Sequence, residues 1–534
     1  MATRTRRAIW RSGPDNGWHE ELVWYAAGIH QMRQRTPGYD DFLQILFDAL
    51  TGAPGGSPNP LQDLVAIASQ WEDPRGLGYQ SQVHGTWVPT SSWPQIMGGQ
   101  ALWQECAHSQ WFFLPWHRAY LVEFEDVVRE HIRDLGGPAD TWALPYWNYS
   151  DDPDAALQRG LPLPLQGDTL PDGVQVPGVD ARPDGSFPNP LFIGARFGPD
   201  PANPNNPQWA DATDALLRPH YANQQDRAAV SFAGGVIEKP NDQELFHGRA
   251  NETGQVDAQP HGSVHVEVNG AMGQFQSAGL DPVFWLHHCN VDRLWETYAH
   301  DLGHGYPFDN GVAVGTAAHT SWLNRPFTFL RTDGSLRTWT APEVLDVAAL
   351  GYTYETTAPP PLPANPPPPP FGAQTDPIGF TVPVAQPIAE AGPFSLAGEQ
   401  DVAVSGGTPA DQANGVEAFD ATTWLLRFEG IRSGAPAATS YLVFLGLEPG
   451  TPADPRDADH YAGLLSLFGV YESSVDGASP GSGQRRLLDV TAQVAAQSTT
   501  FRPMATSVRL VPLNSERNLD RMQLSIDRVT VEVA

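Results

Sequence analysis

A chain of 534 residues, 41% of them hydrophobic, is too long for one core, so two domains are expected, or three with a long insertion. The formal net charge of −30, from 31 Lys+Arg against 61 Asp+Glu, argues against nucleic acid and anionic membrane as partners, since both require basic patches. Only two cysteines rule out a disulfide framework. No 18-residue apolar run exists, and the arginines of MATRTRRAIW are followed by no hydrophobic stretch, so neither a membrane span nor an export signal is expected and the location is read as cytoplasmic.

Residues 18–50 hold two helical patterns separated by Pro37-Gly38. Residues 61–83 hold another, with Leu61, Leu64, Val65, Ala68 and Trp71 at helical spacing, and His84 follows in VHG. A loop rich in Trp, Pro, Ser and Gly runs from 86 to 104. The stretch CAHSQWFFLPWHR, Cys106 to Arg118, then places two histidines in an uncharged aromatic run. Pro115 opens a helix expected to reach about Ile132, with Tyr120, Phe124, Val127, Val128 and His131 on its inner face.

Residues 151–240, dense in Pro, Gly, Asp and Asn, predict an ordered insertion of loops and short helices. HGSVHVEVNG begins at His261. DPVFWLHHCNVDRLW spans Asp281 to Trp295, and Asp281-Pro282 is an N-cap acid followed by proline at the first helical position. After Tyr354, APPPLPANPPPPPFG predicts a stiff polyproline spacer. Runs such as TTWLLRFEGI, SYLVFLGL, SVRLVPL and SIDRVTVEV then predict an all-β sandwich or barrel. The domains expected are 1–356, a linker at 357–390, and 391–534.

His84, His108 and His117 form one set of three histidines, and His261, His265 and His288 a second. The four-residue spacing of His261 and His265 puts both imidazoles on one helix face. An all-imidazole shell without carboxylate or thiolate suits copper or zinc better than magnesium, calcium or iron. His131, His220, His247, His300, His304, His319 and His460 are read as ordinary hydrogen-bonded histidines. Glu105-x-x-His108 and Glu244-x-x-His247 match the unit of carboxylate-bridged di-iron bundles, but neither lies in a long helical pattern, and that reading leaves His117, His261, His265 and His288 unexplained.

VHG at His84, CAHSQWFFLPWHR, PHGSVHVEVNG and DPVFWLHHCNVDRLW, with Tyr352-Thr353-Tyr354 closing the core, resemble the type 3 copper proteins: tyrosinases, catechol oxidases, polyphenol oxidases and haemocyanins. The resemblance implies a multidomain α+β architecture, an α-helical bundle dicopper domain followed by an all-β, haemocyanin-like sandwich. It implies one copper ion on His84, His108 and His117 and a second on His261, His265 and His288. His287 and Asp281 would be supporting neighbours, and Cys106 would be joined to His108 by a thioether, while Cys289 is read as a core thiol. The activity implied is oxidation of ortho-diphenols (catechols) to ortho-quinones with dioxygen, with weak monophenol hydroxylation; a haemocyanin-like dioxygen carrier and an ortho-aminophenol oxidase are the alternatives.

Strong phenol hydroxylation in the family goes with Asn directly after the first histidine of the second set, holding a water with a nearby glutamate. Here that position is Gly262, and the upstream acids are Asp257 and Glu252. Phe275 matches the place of a bulky gate over the first copper. These departures favour diphenols. The β domain is expected to act as an intramolecular lid that inserts an apolar side chain into the site until the linker is cut, with no residue assigned to that role.

Overall fold

The computed structural model describes residues 3–11, 17–89, 91, 102–103, 105–151, 159–194, 196–198, 207–223, 230–236, 253–308, 314–362, 386–405, 423–475, 483–498, 500–502 and 505–533. Glu244, His247, Glu252 and most of the proline-rich spacer (363–385) lie outside them.

The amino-terminal unit is a bundle built from α1 (Glu20–Gln34), α2 (Tyr39–Thr51), α3 (Pro60–Ala68), α4 (Leu77–His84), α5 (Phe113–Asp134), α6 (Ser263–Val268) and α7 (Pro282–Glu296). The helix expected over 61–83 is two helices, because Pro74 and Gly76 break it. A Cβ on Gly76 would lie 2.8 Å from the carbonyl oxygen of Arg35, so the chain turns there against the end of α1. α5 packs against α1 and α7. The approach to α1 is close, since a Cβ on Gly28 would stand 2.7 Å from Val128 Cγ1. Asp281 caps α7, its carboxylate accepting from the Val283 amide at 2.9 Å and from the Arg196 guanidinium. His131, on the inner face of α5, donates from Nε2 to the Arg75 carbonyl, 3.0 Å away, and is an ordinary hydrogen-bonded core residue.

A short strand, β1 (Arg4–Arg6), pairs in parallel with β2 (Tyr352–Tyr354). It delivers Arg6, fully buried, between Glu125 of α5 at 2.9 Å and Asp292 of α7 at 3.2 Å. Asp292 also accepts from Arg118 Nε at 2.5 Å and from the hydroxyls of Tyr352 at 2.8 Å and Tyr354 at 2.5 Å. A buried ion pair is sustained only when its remaining lone pairs are satisfied. Here the Asp292 oxygens are satisfied, and the network ties together the two long helices that carry His117 and His288.

The carboxy-terminal unit is β3 (Gln386–Ala391), β4 (Gln400–Ser405), β5 (Trp424–Ile431), β6 (Tyr441–Leu445), β7 (Tyr461–Leu465), β8 (Gln484–Asp489), β9 (Ala505–Pro512) and β10 (Arg528–Val533). The first strand begins inside the stretch read from sequence as linker. The eight strands form one sheet in the order β7-β6-β9-β4-β3-β10-β5-β8, every pair antiparallel. The outermost strands β7 and β8 come together, so the sheet curls toward a barrel. Bulges supply the curl: the β5 register shifts between Phe428 and Ile431, where Gly430 has φ +63°, and the β6 register shifts at Val443/Phe444.

This β unit grips α6. Arg517 donates to the carbonyls of Val266 (3.0 Å) and Glu267 (2.7 Å). The Glu267 carboxylate accepts from the Thr439 hydroxyl (3.1 Å) and the Ser440 amide (3.2 Å). Asn269 donates to Ala437 at 2.8 Å.

Candidate metal centre

His84 ends α4, His108 lies in the loop before α5, and His117 sits one turn into α5. His261 closes a distorted helical turn (Asp257–Gly262), broken at Gln259 with φ −150° and ψ 124°. His265 follows in α6, and His287 and His288 lie in α7. All seven are buried. The ligand atoms of His84, Cys106, His108 and His117 lie within 4.8 Å of one another, as do those of His261, His265, His287 and His288. The two sets adjoin: the His117 and His288 rings stack at 4.5 Å and 6°, and those of His108 and His261 at 5.3 Å and 26°. Among the described residues no glutamate joins either set, so Glu105 stays apart.

The hydrogen bonds orient the rings. His84 Nδ1 faces the Phe275 carbonyl (2.9 Å), His117 Nδ1 that of Phe113 (2.7 Å), and His265 Nδ1 that of Met272 (2.7 Å). His261 Nδ1 faces both the carbonyl and the carboxylate of Asp257, each at 3.0 Å. These oxygens only accept, so Nδ1 carries the proton and Nε2 the lone pair. The lone pairs converge: His265 Nε2 lies 3.3 Å from His288 Nε2, and the buried His261 Nε2 has no hydrogen-bond partner among the described residues. Burial pushes the pKa of His84 down to about 3. It pushes those of His117, His265, His287 and His288 well below the usual value, and the neighbouring imidazoles add to the effect. Buried imidazoles with facing lone pairs fit a pair of copper ions.

Cys106 is the eighth group. Its sulfur lies 3.3 Å from Nδ1 and 3.9 Å from Nε2 of His108, and 3.2 Å from His117 Nε2. Burial pushes its thiol well above the usual value, which keeps it from acting as a thiolate. His287 comes as close as the other members of its set, and its Nδ1 is held at 2.9 Å by the Tyr149 hydroxyl. Cys289, also buried, is a core thiol near the Leu144 carbonyl (3.6 Å).

Phe275 covers the first set, its ring stacked on His108 at 4.8 Å and 15°. The second set is covered by a residue that the sequence did not single out. Phe468, just after β7, lays its ring on His265 at 4.1 Å and 12° and meets Phe275 edge-on at 4.4 Å. Arg486, buried in β8, holds the Phe468 loop by donating to the carbonyls of Ser466 (3.3 Å) and Phe468 (3.2 Å), and reaches the Thr253 hydroxyl at 2.9 Å. The crevice left among His108, Asp257, Phe275, Phe468 and Arg486 is about 10 Å³, room for about one water. Gly262 lies under the same loop: a Cβ there would meet Ser466 Oγ at 2.7 Å and Phe468 Cβ at 3.3 Å.

Two facing sets of buried imidazoles on a helical bundle could hold two metal ions, as a type 3 copper site does. Residues 74–301 match the family model for the common central domain of tyrosinase, and residues 394–533 match one described as a domain of unknown function (DUF7868). The chain is 28% identical over 483 residues to a tyrosinase of Hahella sp. (strain CCB-MM4), covering 86% of this chain and 92% of that one. It is 27% identical over 310 residues to polyphenol oxidase C, chloroplastic, of Solanum lycopersicum, covering 55% of this chain and 43% of that one. Among solved structures, latent apple tyrosinase aligns over 100% of this chain and 98% of its own, with TM-score 0.54 and 19% identity, which shows the shared fold. A latent aurone synthase aligns over 100% of this chain and 89% of its own, with TM-score 0.56 and 19% identity. Residues 74–301 are thus similar to the common central domain of tyrosinases, and the tyrosinase and polyphenol oxidase relatives support the type 3 copper family and an oxidoreductase.

Proposed function

We propose that this protein oxidises ortho-diphenols to ortho-quinones with dioxygen at a dicopper site, and that its carboxy-terminal domain holds it latent. The observation that carries this reading is Phe468, an aromatic ring stacked on His265 in the place a phenol ring would take over the second metal. His84, His108 and His117 would hold one copper, and His261, His265 and His288 the other. When bound, the pair supplies the dioxygen chemistry and the two-electron oxidation of the diphenol. The chain's own residues fix the rings of His84, His117, His261 and His265 through Nδ1, exclude water with Phe275, Phe284 and Phe468, and leave a flat slot against His265 once Phe468 withdraws.

Diphenols are favoured over monophenols because Gly262 has no side chain to hold a water, and because the Asp257 carboxylate already accepts from His261 and from the Ser109 amide at 2.6 Å. The sulfur of Cys106 beside His108 supports a thioether that removes the thiol from the metal's reach.

Oxygen uptake by copper-loaded protein, supplied in turn with catechol, tyrosine and ortho-aminophenol, tests the reading. After cleavage between the domains, uptake with catechol far above that with tyrosine supports it. Preference for the aminophenol moves the substrate class, and equal turnover of tyrosine contradicts the role given to Gly262 and Asp257. Reversible oxygen binding without uptake would make the protein a carrier.

A further inference from the structure

Asp257 occupies an unusual position between the two halves of the site. It is 5% exposed and stands in the distorted turn that leads to His261. One carboxylate oxygen accepts from His261 Nδ1 at 3.0 Å, and the other accepts from the amide of Ser109 at 2.6 Å. Ser109 directly follows His108 and has φ +55°, a left-handed conformation that costs a non-glycine residue energy and persists only where its surroundings enforce it. That conformation turns the Ser109 amide toward Asp257. The Ser109 hydroxyl is held in turn by Thr253 at 3.0 Å. A single carboxylate therefore clamps a residue adjacent to a ligand of the first set and the ring of a ligand of the second, across the gap where the His108 and His261 rings stack.

We infer that Asp257 is a positioning residue that sets the spacing between the two metals and is not a proton-transfer group. Both oxygens are engaged by donors, and the neighbouring Gly262 offers no side chain with which to share a water. Outer-shell partners of metal-bound histidines fix ring orientation, and their loss weakens metal binding about 10- to 100-fold. Here the same group also fixes the loop of the opposite set, so its loss acts on the relation between the metals. This inference rests on the dicopper reading.

The test compares copper-loaded wild type, Asp257→Asn and Asp257→Ala by metal analysis and EPR of the Cu(II) form. Two Cu(II) ions held close enough to share a ligand couple and give no EPR signal, whereas separated ions give one. Asparagine keeps the size of the side chain but puts an NH2 group against one of the two donors, so it carries the test if the alanine variant fails to fold. The expected result is near-silent wild type with two coppers per chain, and variants whose EPR-visible share of copper rises severalfold while one copper binds about 10- to 100-fold more weakly. Variants that hold two EPR-silent coppers as tightly as wild type, with only kcat and its pH profile changed, would overturn the inference in favour of proton transfer. A wild type that does not bind two coupled coppers would overturn the dicopper reading itself, and this inference with it.

Discussion

The Phe468 ring lies flat on the His265 imidazole, 4.1 Å away and 12° from parallel, and the loop that carries it covers Gly262. The covering loop and the missing side chain at 262 are therefore one feature. Replacing Gly262 with Asn forces a Cβ against Ser466 Oγ and Phe468 Cβ and is expected to weaken docking of the β domain by about 1–3 kcal/mol. Uncut Gly262→Asn protein should then oxidise catechol measurably faster than uncut wild type in an oxygen electrode. Equal rates would show that the loop tolerates a side chain there.

Arg517 joins the β domain to α6 through two carbonyls and the Glu267 carboxylate, whose pKa burial raises. Removing one partner of a buried ion pair costs about 3–5 kcal/mol. Arg517→Ala should expose the Ser466–Phe468 loop, seen as faster limited proteolysis there with the bundle still intact. An unchanged cleavage rate would place the grip elsewhere.

Asp292 gathers Arg6, Arg118, Tyr352 and Tyr354. Burial alone would raise its pKa, but Arg118 and Arg6 outweigh it and hold the carboxyl below the usual range. A depressed carboxylate contributes its stability in full above the unfolded pKa, about 3.9, and loses it as pH falls through the folded value. Asp292→Asn should therefore lower the melting temperature of the bundle by a similar amount at pH 5 and pH 8, with a cost of about 3–5 kcal/mol. The gap should close only in stronger acid; one that closed already at pH 5 would mean the pKa is not depressed.

Cys106 places its sulfur 3.3 Å from Nδ1 and 3.9 Å from Nε2 of the His108 ring. If the thioether forms, intact metal-free protein is lighter than its sequence mass by a pair of hydrogens, and Cys106 resists alkylation after denaturation and reduction while Cys289 reacts. Full alkylation of both cysteines would exclude the bond.

The six histidines were legible because ligand spacing is local: the His261/His265 pair lies within one helical run, and His117 and His288 each sit in a helix announced by Pro115 or Asp281-Pro282. The strands of the β unit were legible from their alternation, which left sandwich and barrel both open; the curl of the sheet depends on bulges such as the one at Gly430. Pro74 and Gly76 carried the signal for the break between α3 and α4. Phe468 was hidden because HYAGLLSLF reads as an ordinary strand, and only its docking against α6, about 200 residues earlier in the chain, makes it part of the site. The engagement of both Asp257 oxygens was hidden for the same reason, as the Ser109 amide is 148 positions away.

The most direct test is oxygen uptake with catechol by three copper-loaded proteins measured side by side: uncut wild type, wild type cleaved between the domains, and uncut Phe468→Ala. The account predicts a near-silent uncut wild type, an active cleaved form, and an uncut Phe468→Ala within about tenfold of the cleaved one, the range that about 1.4 kcal/mol of residual lid hindrance allows. Full activity in uncut wild type would contradict the place given to Phe468. No uptake by any of the three, with two coppers bound to each, would contradict the oxidase itself.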